Sequence, residues 1–267
     1  MTLITLIYHD VLADDGKDDS GFAGADAASY KLSAKRFARH LNIIGDVLGA
    51  SRPLLVNSAG EFPAQAARKL LLTFDDGGAS GVQRIAGALE ERGWRGHFFV
   101  TSSYIGKPGF LSAADVRLLC GSGHIVGSHS ASHPMRMSHC SAAQIRAEWD
   151  DSCARISDIL GAAVTTASVP GGYYSSQVGA LAAESGVQFL FTSEPTTHWS
   201  NLGTMQVIGR FSITRRTSDR HLASLARGRG TTLLGHRLTW GAKKVLKRAG
   251  GSAWIALRRR LFELGVG

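Results

Sequence analysis

Blocks of apolar residues alternate with polar stretches along this chain. Leu3–Tyr8 is a continuous apolar run of strand length. An acidic loop, Asp14–Asp19, follows it. Ser33 is placed to cap a helix whose Phe37, Leu41, Ile44 and Leu48 recur at helical spacing. Leu54–Val56 is a short apolar run, and Lys69–Phe74 reads as a buried strand that ends abruptly in Asp75-Asp76-Gly77-Gly78. Further on, helices are predicted around Val82–Arg92, from Ser112 to about Cys120, from Ser141 to Leu160 and over Gln177–Ser185. Strands are predicted at His97–Thr101, His124–Gly127, Thr165–Val169, Gln188–Phe191 and, as one piece, Met205–Ile213. From Asp219 the pattern is helical, with breaks at Gly228–Gly230 and Gly250–Gly251.

Strand–helix units repeated in this way imply an α/β fold with a parallel sheet and helices outside it. In such folds the chemistry gathers at the carboxyl ends of the strands. Composition agrees with a packed domain: 267 residues, 44% hydrophobic and 19% charged, with 32 Gly and only 6 Pro. The three cysteines, Cys120, Cys140 and Cys153, are odd in number and form no CxxC, which argues against a disulfide framework and against a thiolate zinc site. The first residues lack a basic n-region and a cleavage site, and no stretch approaches the roughly 18 apolar residues of a spanning helix. These features make a cytoplasmic protein the expectation.

Charge divides the chain. Residues 1–226 hold as many acids as bases, whereas residues 227–267 hold ten Lys/Arg and a single acid, Glu263. The expected organisation is a domain over 1–226 and a basic, amphipathic helical tail over 227–267. Such a tail suits an anionic membrane surface, which would put the protein peripherally at the inner membrane; nucleic acid is not expected as a partner.

Two strand ends carry the candidate chemistry. Adjacent carboxylates at the end of an apolar strand, Asp75 and Asp76, are costly unless a cation neutralises them. His129-Ser130-Ala131-Ser132-His133 follows the strand at His124–Gly127, and imidazoles four residues apart on a helical turn can share one ion. Together they predict a metal centre.

Thr73-Phe74-Asp75-Asp76-Gly77 followed by His129-Ser130-Ala131-Ser132-His133 resembles the polysaccharide deacetylases with the NodB homology domain, over roughly residues 1–215. The resemblance implies a distorted (β/α) barrel with incomplete units. It implies hydrolysis of acetyl groups on sugars, with Asp75 as general base and Asp76, His129 and His133 holding one divalent ion. Zinc is the natural choice for two imidazoles and a carboxylate, although other first-row ions suit the same ligands.

The chain departs from the family pattern at two places. Where the family has an arginine that steadies the base, this chain has Ser168, in Ser168-Val169-Pro170-Gly171-Gly172-Tyr173. Arg210 is the candidate substitute, and Gly172 and Tyr173 are candidates for the oxyanion N–H. The family's late histidine, the general acid, corresponds only superficially to His236. His9, which ends the first strand in a Tyr-His pair resembling that of some family members, is the better candidate. Trp199 is a candidate substrate-lining aromatic, with an ordinary core place as its alternative. The expected function is N-deacetylation of a polysaccharide or a lipid-linked glycan precursor; the alternative is a catalytically weak, metal-containing glycan-binding barrel.

Overall fold

A computed structural model describes residues 2–56 and 69–241. The predicted Gly250–Gly251 break and most of the basic tail therefore lie outside the described residues.

β1 (Leu3–Tyr8) leads into the short β2 (Val11–Leu12), α1 (Ala25–Ala28) and β3 (Leu32–Ser33), which pairs with β2. Ser33 then caps α2 (Ala34–Leu48), accepting the Arg36 N–H, as the sequence predicts. The repeating part follows. β4 (Lys69–Phe74) gives way to a π-helical turn over Gly81–Ala86, which runs into α3 (Gly87–Glu90). Next come β5 (His97–Val100), α4 (Ala113–Gly121), β6 (Ile125–Ser128), α5 (Ala142–Leu160), β7 (Thr166–Ser168), α6 (Ser176–Glu184) and β8 (Phe189–Phe191). Capping boxes start α4 at Ser112/Asp115 and α5 at Ser141/Gln144, so the local signals read from the sequence do fix these ends.

β9 (Trp199–Leu202), β10 (Met205–Ile208) and β11 (Phe211–Ser212) complete one nine-stranded sheet in the order β11-β1-β4-β5-β6-β7-β8-β10-β9. All its pairings are parallel except β9 with β10. The sheet is a curled, incomplete barrel, mixed in sense and flanked by helices.

The single strand predicted over Met205–Ile213 is corrected to two. β10 pairs with β8 and β11 pairs with β1, so this stretch changes partner at Gly209–Arg210 and ties together distant strands of the sheet. A β-carbon on Gly209 would fall 2.4 Å from the Glu194 carbonyl, so only glycine allows the chain through at this seam.

Two apolar clusters follow from the alternation of side chains across the strands. The larger lies between sheet and helices. The smaller fills the barrel interior, with Leu3, Val56, Leu71, Phe99, Phe189, Phe191 and Ile208. His97 is buried among them as a polar spacer: it accepts the Val56 N–H on Nε2 and sets Nδ1 against the Leu72 carbonyl. α7 (Asp219–Ala226) and a helix over residues 230–241 follow the barrel, separated by the predicted break near Gly228. The three cysteines are free.

Candidate metal centre and active site

The carboxyl end of β4 delivers two carboxylates to two different places. Asp75 continues the inward alternation of Leu71 and Thr73 and is buried. Asp76 adopts φ of 75°, unusual for a residue with a β-carbon, and this turns its carboxylate toward the histidines. Strain of this kind persists only where the surroundings fix it. The Asp76 carbonyl accepts the Thr101 N–H, and the next carbonyl, of Gly77, accepts the Leu111 N–H.

His129 stands just past β6, its N–H bound to the Val100 carbonyl. The predicted helical turn over His129–His133 is corrected. The segment is a loop, with left-handed φ at Ser130 (63°) and His133 (60°). Its shape comes from hydrogen bonds, not helical pitch. Ser130 Oγ accepts the His133 N–H, and Glu148 of α5 accepts from both the N–H and the hydroxyl of Ser132.

The ligand atoms converge. Asp76 Oδ1 lies 3.4 Å from His129 Nε2 and 3.5 Å from His133 Nε2, and the three sites fall within 4.8 Å of one another. Bonds of about 2.0–2.2 Å to a tetrahedral ion put neighbouring ligands about 3.3–3.5 Å apart, so the residues fit a single divalent cation. His129 Nδ1 faces the Ser168 carbonyl at 3.0 Å; as the donor there, it leaves the Nε2 lone pair for the ion. Burial favours a neutral His129, but Asp75 and Asp76 outweigh it and raise its pKa, so the position calls for a positive charge. Burial drives His133 the other way, down to about 4, which leaves it an unprotonated donor at neutral pH.

Asp75 is held differently. Arg210 Nη1 donates to Oδ1 at 2.7 Å and Nη2 to Oδ2 at 2.8 Å, a bidentate clasp with both partners buried. Ser168 Oγ donates to Oδ2 at 3.2 Å and accepts from Arg210 Nη2 at 2.5 Å. Arg210 also binds Thr73 Oγ1 and the Thr192 carbonyl, and its plane lies near the rings of Phe99 and Phe191. Burial alone would raise the Asp75 pKa, but the Arg210 charge and the neighbouring imidazoles bring it below the ordinary carboxylate value. An arginine from the barrel seam thus steadies the carboxylate that Ser168 cannot charge-balance by itself.

The remaining candidates fall in distinct places. His9 lies just past β1, partly buried, against the Tyr30 ring at 4.7 Å; it lines a small cavity with Asp10, Asp75 and Gly78. Its Nδ1 is buried without a hydrogen-bond partner. His236 sits away from this group, with Nε2 2.8 Å from His221 Nε2 and its ring against Phe211. Gly172 turns beside Trp240, and the Tyr173 ring faces Arg136 and His139. Trp199 packs, partly buried, on the barrel-interior cluster, the core alternative left open by the sequence.

Sequence reasoning missed the rim. Phe22 lies 4.9 Å from the His133 ring, with Tyr104 and Phe110 around it. No periodicity or motif marks these three residues.

Two imidazoles and one carboxylate converge on a point beside a second carboxylate, a donor set able to hold one divalent ion next to a base. Residues 63–190 match the family model "Polysaccharide deacetylase". A Geobacillus stearothermophilus protein, described as an uncharacterized 30.6 kDa protein, is 32% identical over 152 residues. The match covers 54% of each protein, so the chain spans about half the length of that relative. Among solved structures, IcaB from Ammonifex degensii superposes with a TM-score of 0.68 at 19% identity, covering 85% of this chain and 97% of that one. The Streptococcus pyogenes deacetylase PplD, solved with acetate, gives 0.64 at 17% identity, covering 85% and 98%. A de-N-acetylase from Aggregatibacter actinomycetemcomitans gives 0.63 at 18%, covering 82% and 97%. At these identities the likeness shows a shared fold.

Proposed function

We propose that this protein is a metal-dependent carbohydrate N-deacetylase, hydrolysing the acetamide of N-acetylated sugars in a polysaccharide or a lipid-linked glycan precursor to acetate and the free amine. The observation that carries this reading is the division of labour at Asp75-Asp76: one carboxylate faces the imidazoles and the other is kept ionised by Arg210. A site that only held a metal has no use for the second carboxylate.

Asp76, His129 and His133 would hold the ion, for which zinc is our choice. When bound, it supplies Lewis acidity that polarises the acetyl carbonyl and acidifies water. Asp75 accepts the proton of the attacking water. Its two oxygens are fixed by Arg210 and Ser168, so their remaining lone pairs have one orientation. His9, beside Asp75 and not tied by a hydrogen bond at Nδ1, is the proposed donor of a proton to the leaving amine. The names of the structural relatives, a deacetylase solved with acetate and a de-N-acetylase, support the reaction class. Arg210 removes the main argument for the alternative of a weak glycan-binding barrel, which was the missing arginine.

The test is acetate release from N-acetylglucosamine oligomers and lipid-linked N-acetyl sugars, with bound metal quantified. Wild type is expected to release acetate. Asp75→Asn is expected to keep its metal and lose about 10³-fold or more in kcat. A well-folded protein that binds no metal, or a metal-loaded wild type inert on every substrate, overturns the reading.

As to location, we propose peripheral contact with an anionic bilayer. Among the described residues no helix is long and apolar enough to cross a membrane. The helix over 230–241 leaves Leu234 (56%) and Leu238 (65%) exposed one turn apart, within the basic region 227–267. Flotation with anionic but not zwitterionic liposomes is expected; failure with both ends the idea.

A further inference from the structure

The acidic loop after β2 is fastened at every residue from 18 to 21. Lys31, itself buried, donates from Nζ to Asp18 Oδ1 at 2.5 Å and to the Ser20 carbonyl at 2.6 Å. Arg84 clasps Asp19 with both terminal nitrogens, at 3.1 and 2.6 Å. Ser20 Oγ donates to the buried Asp10 carboxylate, which also accepts from Ser80 Oγ. The Gly21 N–H binds the Gly109 carbonyl, and a β-carbon at Gly21 would fall 1.9 Å from Asp10 Oδ2. A surface loop needs none of this to stay soluble, and ordering it costs backbone entropy.

What the fastening delivers is Phe22. Its ring lies 4.9 Å from His133, 4.8 Å from Tyr104 and 5.1 Å from Phe110. All three aromatic residues are partly exposed, and the Lys107 ammonium sits 4.1 Å from the Tyr104 ring centroid. Of the three candidate ligands, His133 has the most exposed side chain, 23% against 10% for Asp76 and 2% for His129. The site therefore opens on the side where the aromatic group stands. A pyranose ring presents a face of C–H bonds, which packs on the electron-rich face of an aromatic ring.

We propose that Phe22, backed by Tyr104 and Phe110, is a specificity-determining residue: it takes the apolar face of the sugar ring while the acetamide reaches the metal centre. This rests on the deacetylase reading. It gives the acidic loop a purpose, since Asp10, Lys31 and Arg84 set the height of Phe22 against His133.

The experiment uses the full chain loaded with zinc. Binding of an N-acetylglucosamine oligomer is measured by calorimetry in the Asp75→Asn background, with Phe22, Phe22→Ala, Phe22→Leu and Phe22→Trp. In the catalytic background, kcat/KM on the oligomer is divided by kcat/KM on an aryl acetate, which has no sugar ring. Loss of aromatic stacking is expected to weaken oligomer binding, and to lower that ratio, by about tenfold in Phe22→Ala and Phe22→Leu. Phe22→Trp is expected to retain affinity, and zinc content is expected to stay constant throughout. Unchanged oligomer binding in Phe22→Leu overturns the proposal. So does a loss of both substrates in parallel with loss of zinc, which would make Phe22 a prop for His133 and nothing more. Wild type decides the underlying reading separately: if it releases no acetate from any sugar, the deacetylase assignment fails first.

Discussion

The inner wall of the site and its outer rim are built on different physics. Along the inner wall, Asp75, Arg210, Ser168 and Thr73 are all buried, and each polar group has a partner from another strand. Along the rim, His133 and Phe22 stand on loops, partly exposed, and are placed by hydrogen bonds that fix backbone turns. A buried ion pair is expensive to leave half-made, whereas a rim residue is replaced at little cost to the fold. Stability and chemistry are therefore expected to separate along this line. The inner wall is expected to carry both, and the rim mainly metal and substrate binding.

Arg210→Met should break that contrast most severely. It leaves Asp75 buried and unpaired, and the expected loss is about 3–5 kcal/mol in urea unfolding, together with most of the acetate release. Arg210→Lys keeps the charge but not the two-pronged geometry, and should fall between. A loss below about 1 kcal/mol in Arg210→Met would remove the seam arginine from the explanation.

Acidification tests the barrel interior on its own. Burial lowers the His97 pKa to about 4, below its ordinary 6.5. The unfolded chain takes up the proton first. The stability that neutral His97 contributes is therefore fully present above about pH 6.5 and is lost as the pH falls toward 4, by up to about 3 kcal/mol. Burial lowers His40 similarly, to about 4, so it adds to the same window. Urea melts at pH 7 and pH 4.5 should show a smaller difference in His97→Gln than in wild type; equal differences would discount the group.

The two imidazoles give the finest test. His129→Ala removes a buried ring together with its bond to the Ser168 carbonyl, and should cost about 1–3 kcal/mol without metal. His133→Ala should cost no more than about 1 kcal/mol without metal. Both should weaken zinc binding by about 100-fold or more, read by competition with a chelator. Equal stability losses would mean that the rim is as structural as the wall.

Much of this is legible in the sequence. Serines 33, 112 and 141 announced their helices, because a cap is a contact between residues three apart. Asp75, Asp76, His129 and His133 were legible because apolar strands ending in carboxylates or imidazoles are rare unless something compensates them. At His129–His133 the four-residue spacing suits a helical turn or a loop alike, and only the left-handed φ at Ser130 and His133 distinguishes them. The aromatic rim was not legible at all. Phe22 and Phe110 are 88 positions apart in sequence and meet only through the fastened acidic loop.

The sequence by itself determined the strand–helix alternation, the helix ends and the candidacy of Asp75, Asp76, His129 and His133, since each depends on a local pattern of burial, capping or charge. Only the tertiary structure decided which residue balances Asp75. Ser168 and Arg210 lie 42 positions apart and converge because β10 and β11 change partners across the barrel seam. A guanidinium that comes from that seam can replace an arginine absent from β7, because electrostatic support depends on where the charge sits in space and not on which strand supplies it.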